Sequence, residues 1–184
     1  IMKLIKDLKR YYNPVFHRFE WNEPSYLYVI IYRIASGIRR LPIWFLPIKF
    51  FLNLLIVPLY AFLSIFMGIS IPRGAQIGEG LRIYHFGGIV INPRAIIGKN
   101  LSIHQEVTIG VKNSYFDQAI IGDNCTIGAG AKILGNIKIG NNVTIGANSV
   151  VLCDVPDNSI AVGIPCRIIE KKNKVYDINR GPFN

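Results

Sequence analysis

Ile120-Ile-Gly-Asp-Asn-Cys-Thr-Ile-Gly-Ala-Gly-Ala-Lys-Ile-Leu-Gly-Asn-Ile-Lys-Ile-Gly-Asn-Asn-Val-Thr-Ile-Gly146 carries isoleucine at positions 121, 127, 133, 139 and 145, six residues apart each time. Hexapeptide repetition marks a parallel β-helix. One aliphatic residue per hexad points inward, and the residue after it occupies a turn that often needs positive φ, hence glycine or asparagine. The same phase runs forward to Val151 and back through Ile109, Ile103, Ile97 and Ile91, then Ile83, Ile77 and Ile71.

Three hexads make one coil, so the sequence predicts three columns. One holds Ile83, Ile103, Ile121 and Ile139; a second Ile71, Ile91, Ile109, Ile127 and Ile145; a third Ile77, Ile97, Tyr115, Ile133 and Val151. Two places break the count. Two extra residues lie between Ile83 and Ile91, around His85-Phe86-Gly87-Gly88, and the hexad at Tyr115 lacks its turn glycine and reads as an external loop from Val111 to Gln118. Excursions from a solenoid are where function is usually placed. His85 sits in the first, and His104 falls one coil above the Ile83 hexad on the same edge, at a coil spacing of about 4.8 Å.

With 184 residues, 51% of them apolar and 17% charged, the chain is a single domain with an appendage or two small domains, and intrinsic disorder is excluded. Cys125, Cys153 and Cys166 show no CxxC spacing and no histidine at a zinc-like interval, so neither a disulfide framework nor a metal site is expected. Net charge is +10, and residues 1–49 hold nine Lys/Arg against three Asp/Glu. Without a helix-turn-helix, finger or aromatic-basic signature, no nucleic-acid partner is expected.

Residues 1–69 read as an apolar, basic-flanked helical segment, 70–170 as the β-helix and 171–184 as a tail. Ser25 is placed to cap a helix through Arg40. Phe50 to Ile69 carries no charge for twenty residues, long enough to span a membrane. Pro42, Pro47 and Pro58 interrupt the run, so bent or paired helices on the cytoplasmic face of a membrane are expected, basic residues toward anionic headgroups. The alternative is that these helices pack on each other in an oligomer.

Residues 70–170 resemble the hexapeptide-repeat acyltransferases, and within them the serine acetyltransferase branch. Ile83-Tyr-His-Phe-Gly-Gly-Ile-Val90 is similar to that branch's catalytic histidine segment, Val107-Thr-Ile-Gly110 to the coil after it, Ile127-Gly-Ala-Gly-Ala-Lys-Ile-Leu-Gly-Asn136 nearly letter for letter, and Ala161-Val-Gly-Ile-Pro-Cys-Arg167 to the closing motif. The resemblance implies a mainly β protein with a left-handed parallel β-helix, a homotrimer, and acetyl-CoA in the groove between subunits. It implies that His85 is the general base on an acceptor hydroxyl, work that suits an imidazole and contributes about 10²–10⁴-fold.

Departures from that pattern shape the expected acceptor. Tyr84 stands where the branch has an aspartate for the serine ammonium, Asp117 and Gln118 where an arginine and a second histidine would face the carboxylate, and Ser70 where an aspartate would orient the histidine. Orientation must then come from a backbone carbonyl, Glu106 or Asp117. Tyr84 offers a stacking surface for a sugar, so the expected reaction is O-acetylation of a saccharide in a lipid-linked or nascent surface polysaccharide, as in the capsule and exopolysaccharide acetyltransferases that the layout resembles. Two alternatives are serine O-acetylation for cysteine synthesis, and a silent β-helix scaffold.

Tyr84, His104 and Asp117 are the candidate acceptor contacts, with a purely structural turn the competing reading of His104. Gly110, Ala129, Ala147, Arg167 and Lys171 are the candidates for acetyl-CoA. The resemblance puts Ala129 and Ala147 on the CoA channel. Arg167 and Lys171 either meet its phosphates or belong to a solvated tail.

Overall fold

In the computed structural model, which describes residues 2–171 apart from 14 and 16, the hexads wind into a parallel β-helix with three faces. The first face stacks strands at Ile69–Ser70, Ile89–Ile91, Thr108–Gly110, Lys132–Leu134 and Val150–Val151. The second stacks Gln76–Ile77, Ile96–Ile97, Ile120–Ile121 and Lys138–Ile139. On the third lie Arg82–Tyr84, Ser102–His104, Thr126–Ile127, Thr144–Ile145 and Ser159–Val162, closed by an antiparallel strand, Arg167–Glu170. The twelve hexad isoleucines are each no more than 3% exposed. At about 1.5–3 kcal/mol for each fully buried side chain, this column of aliphatic contacts holds the coils together.

The columns above the loop differ from the expected ones. Ile121 and Ile139 stack on Ile97, not on Ile103. Ile127 and Ile145 continue Ile83 and Ile103, while Ile133 and Val151 continue Ile109. Tyr115 is not a rung: it is 72% exposed, on an excursion that leaves the first face after Gly110 and rejoins the second at Ile120. Counting it as a hexad turned every later residue by one face.

Asparagines build the corner between the second and third faces. Asn100, Asn124, Asn142 and Asn158 all have φ near +56°, a conformation that asparagine tolerates. Their amides form a ladder, Asn100 Nδ2 donating to Asn124 Oδ1 at 2.9 Å and Asn142 Nδ2 to Asn158 Oδ1 at 3.0 Å. Gly80 heads the ladder with φ +79°, and a Cβ there would stand 2.2 Å from Asn100 Oδ1.

Three helices precede the β-helix: α1 (Met2–Lys9), α2 (Ser25–Arg39) and α3 (Leu46–Met67), with a two-stranded ribbon, Tyr12–Asn13 against Arg18–Phe19, between the first two. The first coil has no coil beneath it, and an open strand edge with unpaired backbone groups is a liability. Side chains of the N-terminal segment supply the missing partners. Arg33 donates to Ile77 O (3.0 Å) and Gly78 O (2.5 Å), Arg10 to Gly80 O (2.6 Å), Tyr32 Oη to Ala75 O (3.2 Å), and Tyr60 Oη to Ile71 O. Ser25 Oγ donates to Ile83 O at 2.7 Å, while Ile83 N–H donates to Tyr11 Oη at 3.0 Å. Ser25 therefore does not cap its helix; Pro24 stands at the N-cap with no side-chain cap bond. Tyr28, Val29, Tyr32 and Met67 are buried in one cluster with Ile69, Ile71 and Ile77, so the segment is an end cap of the kind that a solenoid requires.

Helix α3 is held along one side only. Tyr60 and Leu63 pack against the core, and a Gly68 C-cap at φ +60° turns the chain into the first strand. Pro58 lies inside the helix and Pro47 in its first turn, so the prolines do not break the run as expected. The stretch Ile43–Met67, mean hydropathy 2.2, is by length and composition long and apolar enough to cross a membrane.

Candidate functional site

The corner between the third and first faces brings the chemistry together. Strand Arg82–Tyr84 ends there, and the chain needs two extra residues to reach Ile89, so the corner bulges outward as His85-Phe86-Gly87-Gly88. His85 has φ +57°, and Gly87 and Gly88 have φ +114° and +67°. A β-carbon on Gly88 would stand 3.1 Å from Glu106 Cα in the next coil, and φ +67° would strain any side chain there. The His85 side chain is 64% exposed.

One carboxylate holds His85. Glu23 Oε1 lies 3.1 Å from His85 Nδ1, and Glu23 Oε2 accepts the His85 backbone N–H at 3.1 Å. None of the expected orienting groups does this. Glu106 occupies the same corner one coil up at φ +61°, where its carbonyl accepts a bond from Lys132 Nζ at 2.5 Å. Asp117 Oδ2 accepts the N–H groups of Lys112, Asn113 and Ser114 at 2.8, 3.0 and 3.3 Å, and these bonds hold its carboxyl below the usual carboxylate range. Asp117 fastens its own loop and is not brought to the histidine as an acceptor contact. Sequence reasoning missed Glu23 because it lies 62 positions before His85, in a segment with no repeat to fix its place.

Tyr84 and His104 pair across the third face and stack at 4.8 Å with 10° between their rings. The Arg82 guanidinium lies 4.1 Å from the Tyr84 ring centre. Little of that ring is left for a sugar to stack on, contrary to expectation. His104 is a strand residue, not the positive-φ turn residue; that position belongs to Glu106. Burial, with the neighbouring His85 and the Arg82 guanidinium adding to it, lowers the His104 pKa. A lowered imidazole pKa means that the fold favours the neutral form, so its contribution is full above the unfolded value near 6.5 and declines as pH falls through it. Denaturant unfolding at pH 8 and pH 5 is expected to show a smaller loss of stability in His104→Asn than in the wild type. An equal loss in both would remove His104 as the cause.

Beside this stack a cavity of about 350 Å³ is lined by Asn13, Arg18, Glu20, Asn22, Glu23, Arg82 and Tyr84. It lies between the N-terminal ribbon and the first coil, and it presents two guanidinium groups and two carboxylates. Glu20 is ion-paired with Arg82, and Arg82 Nε is buried with no acceptor among the described residues. A larger cavity of about 620 Å³, lined by Lys3, Arg39, Arg40 and Arg73, faces the second face and holds none of the expected site residues.

The five residues expected at acetyl-CoA do not all meet. Ala129 and Ala147 lie at the His85 corner, two and three coils above it, and Arg167 pairs with Val162 at the end of the same face. Gly128 fits there only as glycine, since a Cβ would come within 2.6 Å of Ala147 N. Gly110 stands at a different corner, leading off the first face. Lys171 is at the third: its Nζ donates to Asn142 O at 2.6 Å and its backbone N–H to Asn158 O at 2.9 Å. The rest of the tail, including Lys172, lies outside the described residues. Among the described residues no group of three or more His, Cys, Asp or Glu could hold a metal ion.

The family described as "Bacterial transferase hexapeptide (six repeats)" matches residues 118–153. A serine acetyltransferase of Synechococcus elongatus is 40% identical over 159 residues, covering 84% of this chain and 60% of that protein. Among solved structures, the soybean serine acetyltransferase apoenzyme superposes with a TM-score of 0.70 at 33% identity, covering 91% of this chain and 68% of that one. A serine acetyltransferase in complex with CoA gives 0.69 at 30% identity, covering 91% and 68%. The chain spans 39–60% of the length of the curated relatives it matches. These likenesses run to serine acetyltransferases rather than to enzymes of surface polysaccharides. They overturn the expected saccharide acceptor, and with it the station on the cytoplasmic face of a membrane. That station was read from the uncharged run Phe50 to Ile69 and its basic flank, in a segment whose polar side chains in fact close the first coil.

Proposed function

The chain belongs to the hexapeptide-repeat, left-handed β-helix acetyltransferase family, and from that premise we propose that it moves an acetyl group from acetyl-CoA to the hydroxyl of L-serine. The observation that carries this reading is the cavity of mixed charge beside His85. A serine zwitterion needs an anion near its ammonium and a cation near its carboxylate. The coils supply neither at Tyr84 and Asp117. Glu20, Glu23, Arg18 and Arg82 put both signs of charge around one cavity bordered by Tyr84.

In the proposed reaction His85 is the general base, acting through Nε2, with Nδ1 turned to Glu23. It takes the proton of the serine hydroxyl as the oxygen attacks the thioester carbonyl. The tetrahedral adduct collapses by breaking the C–S bond, and the proton passes from Nε2 to the departing CoA sulfur, leaving O-acetylserine and CoA. The donor arm runs along the corner that holds Ala147, Ala129 and His85. Small side chains leave the backbone there open to it, and the coils are about 4.8 Å apart. Arg167 stands where the arm's phosphates would approach from the top. A homotrimer completes the groove, with a neighbouring subunit forming its other wall.

Release of CoA thiol from acetyl-CoA, measured with L-serine and with a panel of sugars and oligosaccharides, tests the reading. Serine-dependent release with O-acetylserine as product is expected. Turnover of a sugar with none of serine would reverse the acceptor while leaving the donor and the fold in place.

A further inference from the structure

Glu23 precedes Pro24 at the start of α2, where an acidic side chain would ordinarily turn back to cap the helix or face its dipole. It does neither. The α2 N-terminus has no side-chain cap, and the carboxylate leaves its own helix to reach the corner of the first coil. There it takes two groups of one residue, Oε1 meeting His85 Nδ1 and Oε2 the His85 N–H, each at 3.1 Å. The Glu23 side chain is only 18% exposed, against 64% for His85.

We infer that Glu23 is a positioning residue for His85, a role that rests on the proposed reaction. An exposed imidazole on a bulged corner would otherwise rotate and share its proton between two nitrogens. A carboxylate can only accept, so its approach to Nδ1 places the proton there and leaves the Nε2 lone pair for the acceptor hydroxyl. Its second oxygen fixes the backbone N–H of the same residue, which pins the left-handed turn from which the ring projects. Ring orientation, tautomer and backbone are thus set by one side chain from outside the β-helix. The corner above offers no substitute: His104 is stacked on Tyr84 and held toward its neutral form. The N-terminal segment is then part of the active site, since the contact that closes the first coil also delivers the carboxylate.

The test uses the full chain with Glu23→Gln and Glu23→Ala. Glutamine keeps the shape, but one of its two terminal atoms is a donor, so it cannot accept from both Nδ1–H and the backbone N–H. Each variant is expected to lose about 10²-fold in kcat, the scale of a misplaced reacting group, with the KM for acetyl-CoA little changed. In ¹⁵N spectra of the substrate-free protein near pH 8, His85 of the wild type is expected to show a protonated Nδ1 and a bare Nε2. In both variants it should move toward an averaged tautomer. Wild-type kcat together with unchanged His85 ¹⁵N shifts would overturn the inference. The spectra do not depend on the acceptor: a wild type inert toward serine would sink the proposed function, while the ¹⁵N shifts would still decide Glu23.

Discussion

Replacing His85 by alanine or asparagine is expected to leave the protein folded while removing about 10²–10⁴-fold of the acetyl-transfer rate, the contribution of a positioned general base. The two replacements have separate purposes. The His85 side chain is mostly exposed, so truncation opens no cavity in the core. The backbone there is left-handed, with φ +57°, and alanine carries a steric cost that asparagine largely avoids. If both variants unfold in denaturant near the wild-type midpoint and both lose transfer, the loss belongs to the imidazole. Thiol release from acetyl-CoA checks the rate, and denaturant unfolding checks the fold. Wild-type-like transfer in either variant would remove His85 as the base. A loss confined to alanine would assign the effect to the turn.

The hexads made the β-helix legible because a coil of three short strands imposes its period directly on the chain. Ile71 through Ile109 stack as the six-residue count predicts, and the two extra residues at His85 form the bulge that the break in the count marks. The count fails at Tyr115, since periodicity alone does not say whether a missing turn glycine marks an irregular rung or a loop that adds none. Asp117 was open to misreading for the same reason: its partners are the three N–H groups of its own loop. The N-terminal segment was hardest to read. Its apolar run is consistent with several environments, and what fixes its place is the row of side-chain hydrogen bonds between Arg10, Tyr11, Ser25, Tyr32, Arg33 and Tyr60 and backbone groups of the first coil. No local pattern announces such contacts. Glu23 is one of them in kind, and three of the four charges proposed to hold serine, Arg18, Glu20 and Glu23, lie in the same segment, so reading only the coils pointed away from an amino acid.

One buried ion pair is among the anchors of that segment, and Asp7→Ala is expected to cost about 3–5 kcal/mol, the range for removing one partner of such a pair. Asp7 is fully buried, with Oδ2 2.6 Å from Arg33 Nε and Oδ1 3.2 Å from Arg33 Nη2. Leu81 N–H also donates to Oδ1, at 2.8 Å. Alanine would strand two charged-group donors and a backbone N–H at once, beneath a coil whose Ile77 and Gly78 carbonyls depend on the same guanidinium. The loss should exceed that of Lys6→Ala, whose partner Glu79 forms a pair more than half exposed on the lysine side and worth about 0–1 kcal/mol. Urea unfolding of the two variants gives the comparison, and a loss under 1 kcal/mol for Asp7→Ala would show that the segment is not anchored there. Because Glu23 reaches His85 from this segment, partial unfolding of the cap in Asp7→Ala should lower transfer before the β-helix itself melts. Activity should therefore fall at a lower urea concentration than the circular dichroism of the strands, and coincident transitions would show that cap and coils unfold as one unit.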